Sequence, residues 1–206
     1  MTSQVDPLSA IRPIRRLPQS EYLDPLDVIW IRALERMGIA VVSAHGVYAH
    51  YDGAGTLAIG TERNLDADDC VAQIAYHEIC HWLIEGEASR HWVNWGLVND
   101  SLRDLPRENA SLRVQAALAA PYGLRRVLAN TTDHRAYYDA LPEDPFAPSA
   151  DGSTELALEA MARVEQAPWA PALQDALAAT ERIVAAVAPH ARPPSLYCLY
   201  EPPPRR

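Results

Sequence analysis

The chain has 206 residues, 49% of them apolar, which is enough for one domain with a full core, or one domain with a helical extension. Its net charge of −9 argues against sequence-independent nucleic-acid binding, which needs basic surface to displace counterions from phosphate. Cys70, Cys80 and Cys198 are odd in number and form no Cys-x-x-Cys pair, so no disulfide framework is expected.

Residues 1–20, "MTSQVDPLSAIRPIRRLPQS", carry prolines and arginines without period and lack the apolar centre of a signal peptide. Nowhere does an apolar run approach the roughly 18 to 20 residues that cross a bilayer. A cytoplasmic protein without membrane association is therefore expected. "DPLDVIWIRALERMG" then predicts a helix, with Asp24 as N-cap, Pro25 at the first helical position and Gly38 at the stop. From 39 to 61 the texture turns to β. "IAVVSA", "GVYAHYD" and "GTLAIGT" predict three short strands in a meander, hence a small antiparallel sheet, with a turn near "DGAG".

A second helix is expected to be capped by Asp66, with Asp68 and Asp69 in its first turn, and to run to Glu85 before stopping at Gly86. A connector holding Trp92, Trp95 and Gly96 leads to a third helix, opened by Pro106 and ended before Pro121. "TTDHRAYYDAL" suggests a short helix, and "PEDPFAPSADGS" a linker. Two Ala/Leu-rich helices are expected near 153–166 and 171–188, then a proline-rich tail. The expected class is α+β: a small sheet, a motif helix and a mainly helical C-terminal part, in a zincin-like layout. The expected organisation is a lead-in (1–20), a metal-binding α+β core (21–142), and a linker with helical extension and tail (143–206).

The motif is "HEICH" at 77–81. Four residues apart on a helix, His77 and His81 share a face and can direct ring nitrogens at one ion. Glu78, about 100° around the helix, stands beside that ion and can take a proton from bound water. Apolar Ile74, Ile79, Trp82 and Leu83 surround the three, and burying them without a partner would be costly. The plainer alternative is a helix with satisfied histidines.

Two ligands need a third. A metzincin has glycine and histidine where this chain has Ile84 and Glu87. Glu85 lies two turns from His77, too far along the axis. His91, past Gly86, is one candidate. Glu108 is another, in the first turn of the third helix, where a carboxylate would complete a gluzincin-type set. A first-turn acid favoured by the helix dipole is the competing explanation for Glu108. Cys80, Cys70 and Tyr76 read as packing, His45 and His50 as turn or surface residues, and Arg125 and Arg126 as a solvated pair. Asp133, His134, Tyr137 and Tyr138 can supply groups that orient ligands or stabilise a transition state, and a surface helix explains them as well.

The longer stretch "HEICHWLIEGEASRHWVNWG" resembles the bacterial elongation factor P hydroxylase family, at His77, Glu78, Ile79, His81, Trp82, Ile84, Gly86, Ala88, Arg90, Val93 and Gly96. "RENASLRVQAAL" is similar to that family's carboxylate-bearing segment, with Glu108 and Gln115 in register. The resemblance covers about residues 70–120. It implies a non-haem iron hydroxylase acting on a modified lysine of the translation factor. His77, His81 and Glu108 would then form a two-histidine, one-carboxylate face with open positions, and Glu78 would relay protons. Beside it stand a zinc metallopeptidase or hydrolase using Glu78 as base, and a non-catalytic metal-stabilised binding protein. Iron and zinc both accept these ligands, and a protein or peptide is the expected substrate.

Overall fold

The computed structural model describes residues 23–61, 64–66, 69–98, 102–130 and 134–190. The lead-in, Ala67, Asp68, Asp133 and the tail with Cys198 lie outside the described residues. Helix α1 spans Pro25–Arg36, capped by Asp24, whose carboxylate accepts from the amides of Leu26 and Asp27. Its inner stripe, Trp30, Ala33 and Leu34, is buried, and the chain turns at Gly38.

Three strands follow, β1 (Ala40–Ala44), β2 (Ala49–Tyr51) and β3 (Thr56–Gly60). Their order is β1-β3-β2, with β2 antiparallel and β1 parallel to β3. The sheet is thus mixed, correcting the expected antiparallel meander. Only β2 and β3 form a hairpin, around Asp52, whose carboxylate accepts from the amides of Ala54 and Thr56. Leu57 and Ile59 make β3 the most buried strand, and it takes the central place, while β1 stays largely exposed. To reach the far edge, the 45–48 link passes over the end of β3 at Gly60, where a Cβ would meet the Val47 carbonyl at 2.5 Å.

Helix α2 spans Val71–Glu85. It begins later than expected, because Asp69 turns back to accept from the Asp66 amide and the Tyr48 hydroxyl. Cys70 is the N-cap instead, in a reciprocal pair with Gln73: the Gln73 amide donates to Sγ, and the Cys70 amide to Oε1. The other end falls at Gly86, whose φ of 79° suits glycine. The carbonyls of Leu83 and Ile84 accept from Arg163, eighty and seventy-nine residues away.

Helix α3 (Leu105–Ala119) opens with Pro106 as expected and packs against α2. Its buried side is unusually polar: Glu108, Asn109, Ser111, Arg113 and Gln115 are all nearly or fully enclosed. Such burial is tolerable only with partners. Asn109 donates to Asp151, while Arg113 donates to Tyr137, Ser153 and the carbonyls of Pro145 and Ala147.

The remaining helices are α4 (Arg135–Asp139), α5 (Ser153–Met161) and α6 (Ala172–Val187). The first of the two Ala/Leu-rich helices stops at Met161, short of the expected 166, where turns bring Arg163 to the end of α2. Ala157, Ala160, Trp169, Leu173 and Leu177 join one apolar core with Trp30, Leu57, Ile79 and Trp82. Among the described residues, no helix is long and apolar enough to cross a membrane. The described residues thus form an α+β architecture of six α-helices and a three-stranded mixed sheet.

Candidate metal centre

Helices α2 and α3 face each other so that His77, His81 and Glu108 converge, with ligand atoms all within 4.8 Å of one another. His77 Nε2 lies 3.2 Å from Glu108 Oε1, and His81 Nε2 3.3 Å from Oε2. Two bonds of about 2.1 Å at a tetrahedral angle span about 3.4 Å, so these separations fit donors around one ion. The cluster is a possible metal-binding site.

Hydrogen bonds behind the rings select which nitrogen faces the centre. Gln115 donates its amide Nε2 to the Leu128 carbonyl, which leaves its Oε1 as acceptor 2.9 Å from His77 Nδ1. Ser111 spends its hydroxyl proton on the Arg107 carbonyl and faces His81 Nδ1 as acceptor at 2.9 Å. With hydrogen on Nδ1, each ring turns its Nε2 toward Glu108, the nitrogen a metal would take once the proton held by His77 is displaced. Glu108 Oε1 is buried without an aligned hydrogen-bond donor, since the 3.2 Å contact from His77 lacks hydrogen-bond geometry. Two converging ring nitrogens and a carboxylate, one oxygen orphaned, are what a cation would satisfy. Two imidazoles and one carboxylate are a borderline donor set suited to zinc or iron.

The charges obey the same arrangement in the metal-free protein. Burial depresses His77, but the Glu108 carboxylate beside it prevails and raises the ring to about 9. Burial dominates at His81, which falls to about 4. Glu108 is pushed up by burial, yet His81 and His77 together hold it well below the ordinary carboxylate range. Between the two histidine values the site holds one proton, on His77, which a metal must displace. Metal affinity should therefore rise about tenfold per pH unit across that interval and level off above about 9, as read by competition with a chromophoric chelator. A flat profile would contradict a proton-bearing His77. Gln115→Leu and Ser111→Ala should each weaken metal binding by roughly 10- to 100-fold in the same assay.

Glu78 is on the adjacent face, its carboxyl raised by burial against the pull of His77 and of a hydrogen bond from Trp95. The Trp95 indole N–H donates to Oε2 at 2.8 Å. With His81, Ala49, Asn94 and Leu97, these two residues line a small cavity beside the cluster. Asn94 (φ 47°) and Trp95 (φ 59°) both have left-handed backbone, tolerable for Asn and rare for Trp. Trp95 is held there by the Glu78 bond and by stacking on Tyr51, with ring centroids 3.8 Å apart. Asn94 Oδ1 accepts from the Tyr51 amide on β2. Non-glycine residues held in this region are over-represented at functional sites.

Other candidates fall elsewhere. His91 is exposed and outside the cluster, and Glu85 pairs with Arg107. Cys80 and Tyr76 are core, Tyr76 donating to the Gln115 carbonyl. His45 meets Thr61, and Arg125 serves the carbonyls of 141–143. Tyr137 and Tyr138 face Arg113 and the Arg125 carbonyl, whereas His134 does approach, its Nε2 4.0 Å from Glu108 Oε1. Ser111 escaped sequence reasoning, although Glu108, Ser111 and Gln115 stand at i, i+3 and i+7, one helix face. The Trp95–Glu78 bond had no sequence signal. No protein-family model, curated protein or solved structure matches the chain.

Proposed function

We propose that the chain is a metal-dependent hydroxylase: His77, His81 and Glu108 hold iron, and a side chain of a protein substrate is oxidised. The carrying observation is the buried His-His-Glu face, with both rings oriented by Gln115 and Ser111. The resemblance of 77–96 and 107–118 to elongation factor P hydroxylases supports the substrate class, a modified lysine of that factor, and with it a cytoplasmic setting. Iron at such a face supplies dioxygen activation. The chain's own part is to orient the ligands, to hold a proton at Glu78 under control of the Trp95 N–H, and to shield the centre behind α2 and α3.

A zinc hydrolase is the second reading. It is favoured by Glu78 itself, a half-buried carboxylate of raised proton affinity beside the ring pair, as a general base requires. Metal analysis after anaerobic purification, paired with Glu78→Gln, separates the two. Iron with oxygen-dependent substrate oxidation supports the hydroxylase. Zinc with peptide hydrolysis that Glu78→Gln abolishes overturns it in favour of the hydrolase. Metal that only stabilises the fold, with neither reaction, reduces the protein to a binding module.

A further inference from the structure

We propose that His134 donates a hydrogen bond to the oxygen atom or small anion occupying the metal's open position, without ligating the metal itself. The assignment rests on the metal site proposed above. Both ligating rings come from α2, whereas His134 comes from the turn that opens α4, a separate approach to the same carboxylate. Its Nε2 is 4.0 Å from Glu108 Oε1, against 3.2 and 3.3 Å for the carboxylate contacts of His77 and His81. It falls outside the set whose ligand atoms are mutually close enough to share an ion. The gap suits a ligand's ligand.

Exposure points the same way. The side chains of His77, His81 and Glu108 are 13%, 4% and 11% exposed, whereas that of His134 is 39% exposed. A surface ion pair with Glu108 is the plainer use for such a ring and would be worth little. That use leaves Oε1 without an aligned donor, so the ring does not serve the carboxylate. The neighbouring rings of α4, Tyr137 and Tyr138, are engaged with Arg113 and the Arg125 carbonyl. His134 is thus the ring of this segment presented to the centre. The ligand class that fits is a small oxygen donor or anion: water, a carboxylate, or a substrate hydroxyl.

The test uses the 206-residue chain loaded with Co(II), whose visible bands report coordination, titrated with azide as the anion. Wild type, His134→Ala and His134→Gln should each bind one equivalent of Co(II). Azide affinity should fall roughly 10- to 100-fold in His134→Ala, the worth of a hydrogen bond to a charged group. His134→Gln, which restores an N–H at similar reach, should recover most of that loss. Equal azide affinity in wild type and His134→Ala overturns the proposal, as does a wild-type protein that binds Co(II) but no azide. Loss of Co(II) from His134→Ala overturns it differently, by making His134 a ligand. A wild type that binds no Co(II) removes the metal site itself, an outcome distinct from all of these.

Discussion

His77→Ala should bind no stoichiometric metal under conditions in which the wild-type protein binds one equivalent, as measured by elemental analysis after dialysis. The substitution removes one of three donors and orphans the Gln115 oxygen that orients the ring. It also leaves Glu108 with His81, at 3.3 Å, and the more distant His134, at 4.0 Å. Changes one shell farther out cost 10- to 100-fold in affinity, so loss of a ligand should exceed roughly 100-fold. The metal-free variant should also be less stable than metal-free wild type, because a buried carboxylate loses the cationic ring beside it. Glu108→Gln separates these effects. It should lose metal as His77→Ala does, yet leave no charge stranded. Full metal retention in His77→Ala would refute the site.

Trp82→Ala should lower the unfolding free energy of the metal-free protein by about 3–5 kcal/mol, read as a shifted urea midpoint at unchanged slope. Trp82 is wholly buried between Trp95, with centroids 5.4 Å apart and planes 15° apart, and Trp169, 5.2 Å away. It belongs to the same helix as the ligands, the residue after His81, and points into the core. Truncation would open a void where the left-handed 94–95 segment, α2 and the turn before α6 meet. A loss below about 1 kcal/mol would mean that these segments collapse freely into the space, contrary to a tightly packed interior. Metal binding should decline less than stability, since the bonds that orient the two rings come from Gln115 and Ser111 on α3, not from the Trp82 stack.

Much of this architecture is legible in the sequence, and the reason differs by element. Asp24-Pro25 and Gly86 mark helix ends because local backbone chemistry decides them. Glu108 stands out as an acid in the first turn of a helix able to face the motif. Strand order is another matter. Alternation in "GTLAIGT" says that a strand exists, but says nothing about its neighbours. Placing β3 between β1 and β2 follows from which strand buries most, a property of the assembled core. The start of α2 was obscured because Asp69 has a tertiary engagement with Tyr48, leaving the cap to Cys70. On α3, the buried polar face blurs the apolar period that normally reveals a helix's inner side, and that blur is itself the trace of the site.

The hydrogen bond from the Tyr51 amide to Asn94 has a consequence for how an extended peptide would meet this surface. An edge strand ordinarily offers its outward amides as a template, and an extended chain can lie along it as an extra strand. Here a side chain already answers one of those amides, beside Glu78 and His81. A segment adding to β2 would have to displace Asn94 and, with it, the strained turn that carries Trp95. A ligand that reached in with a single long side chain, leaving its own backbone outside, would meet no such competitor.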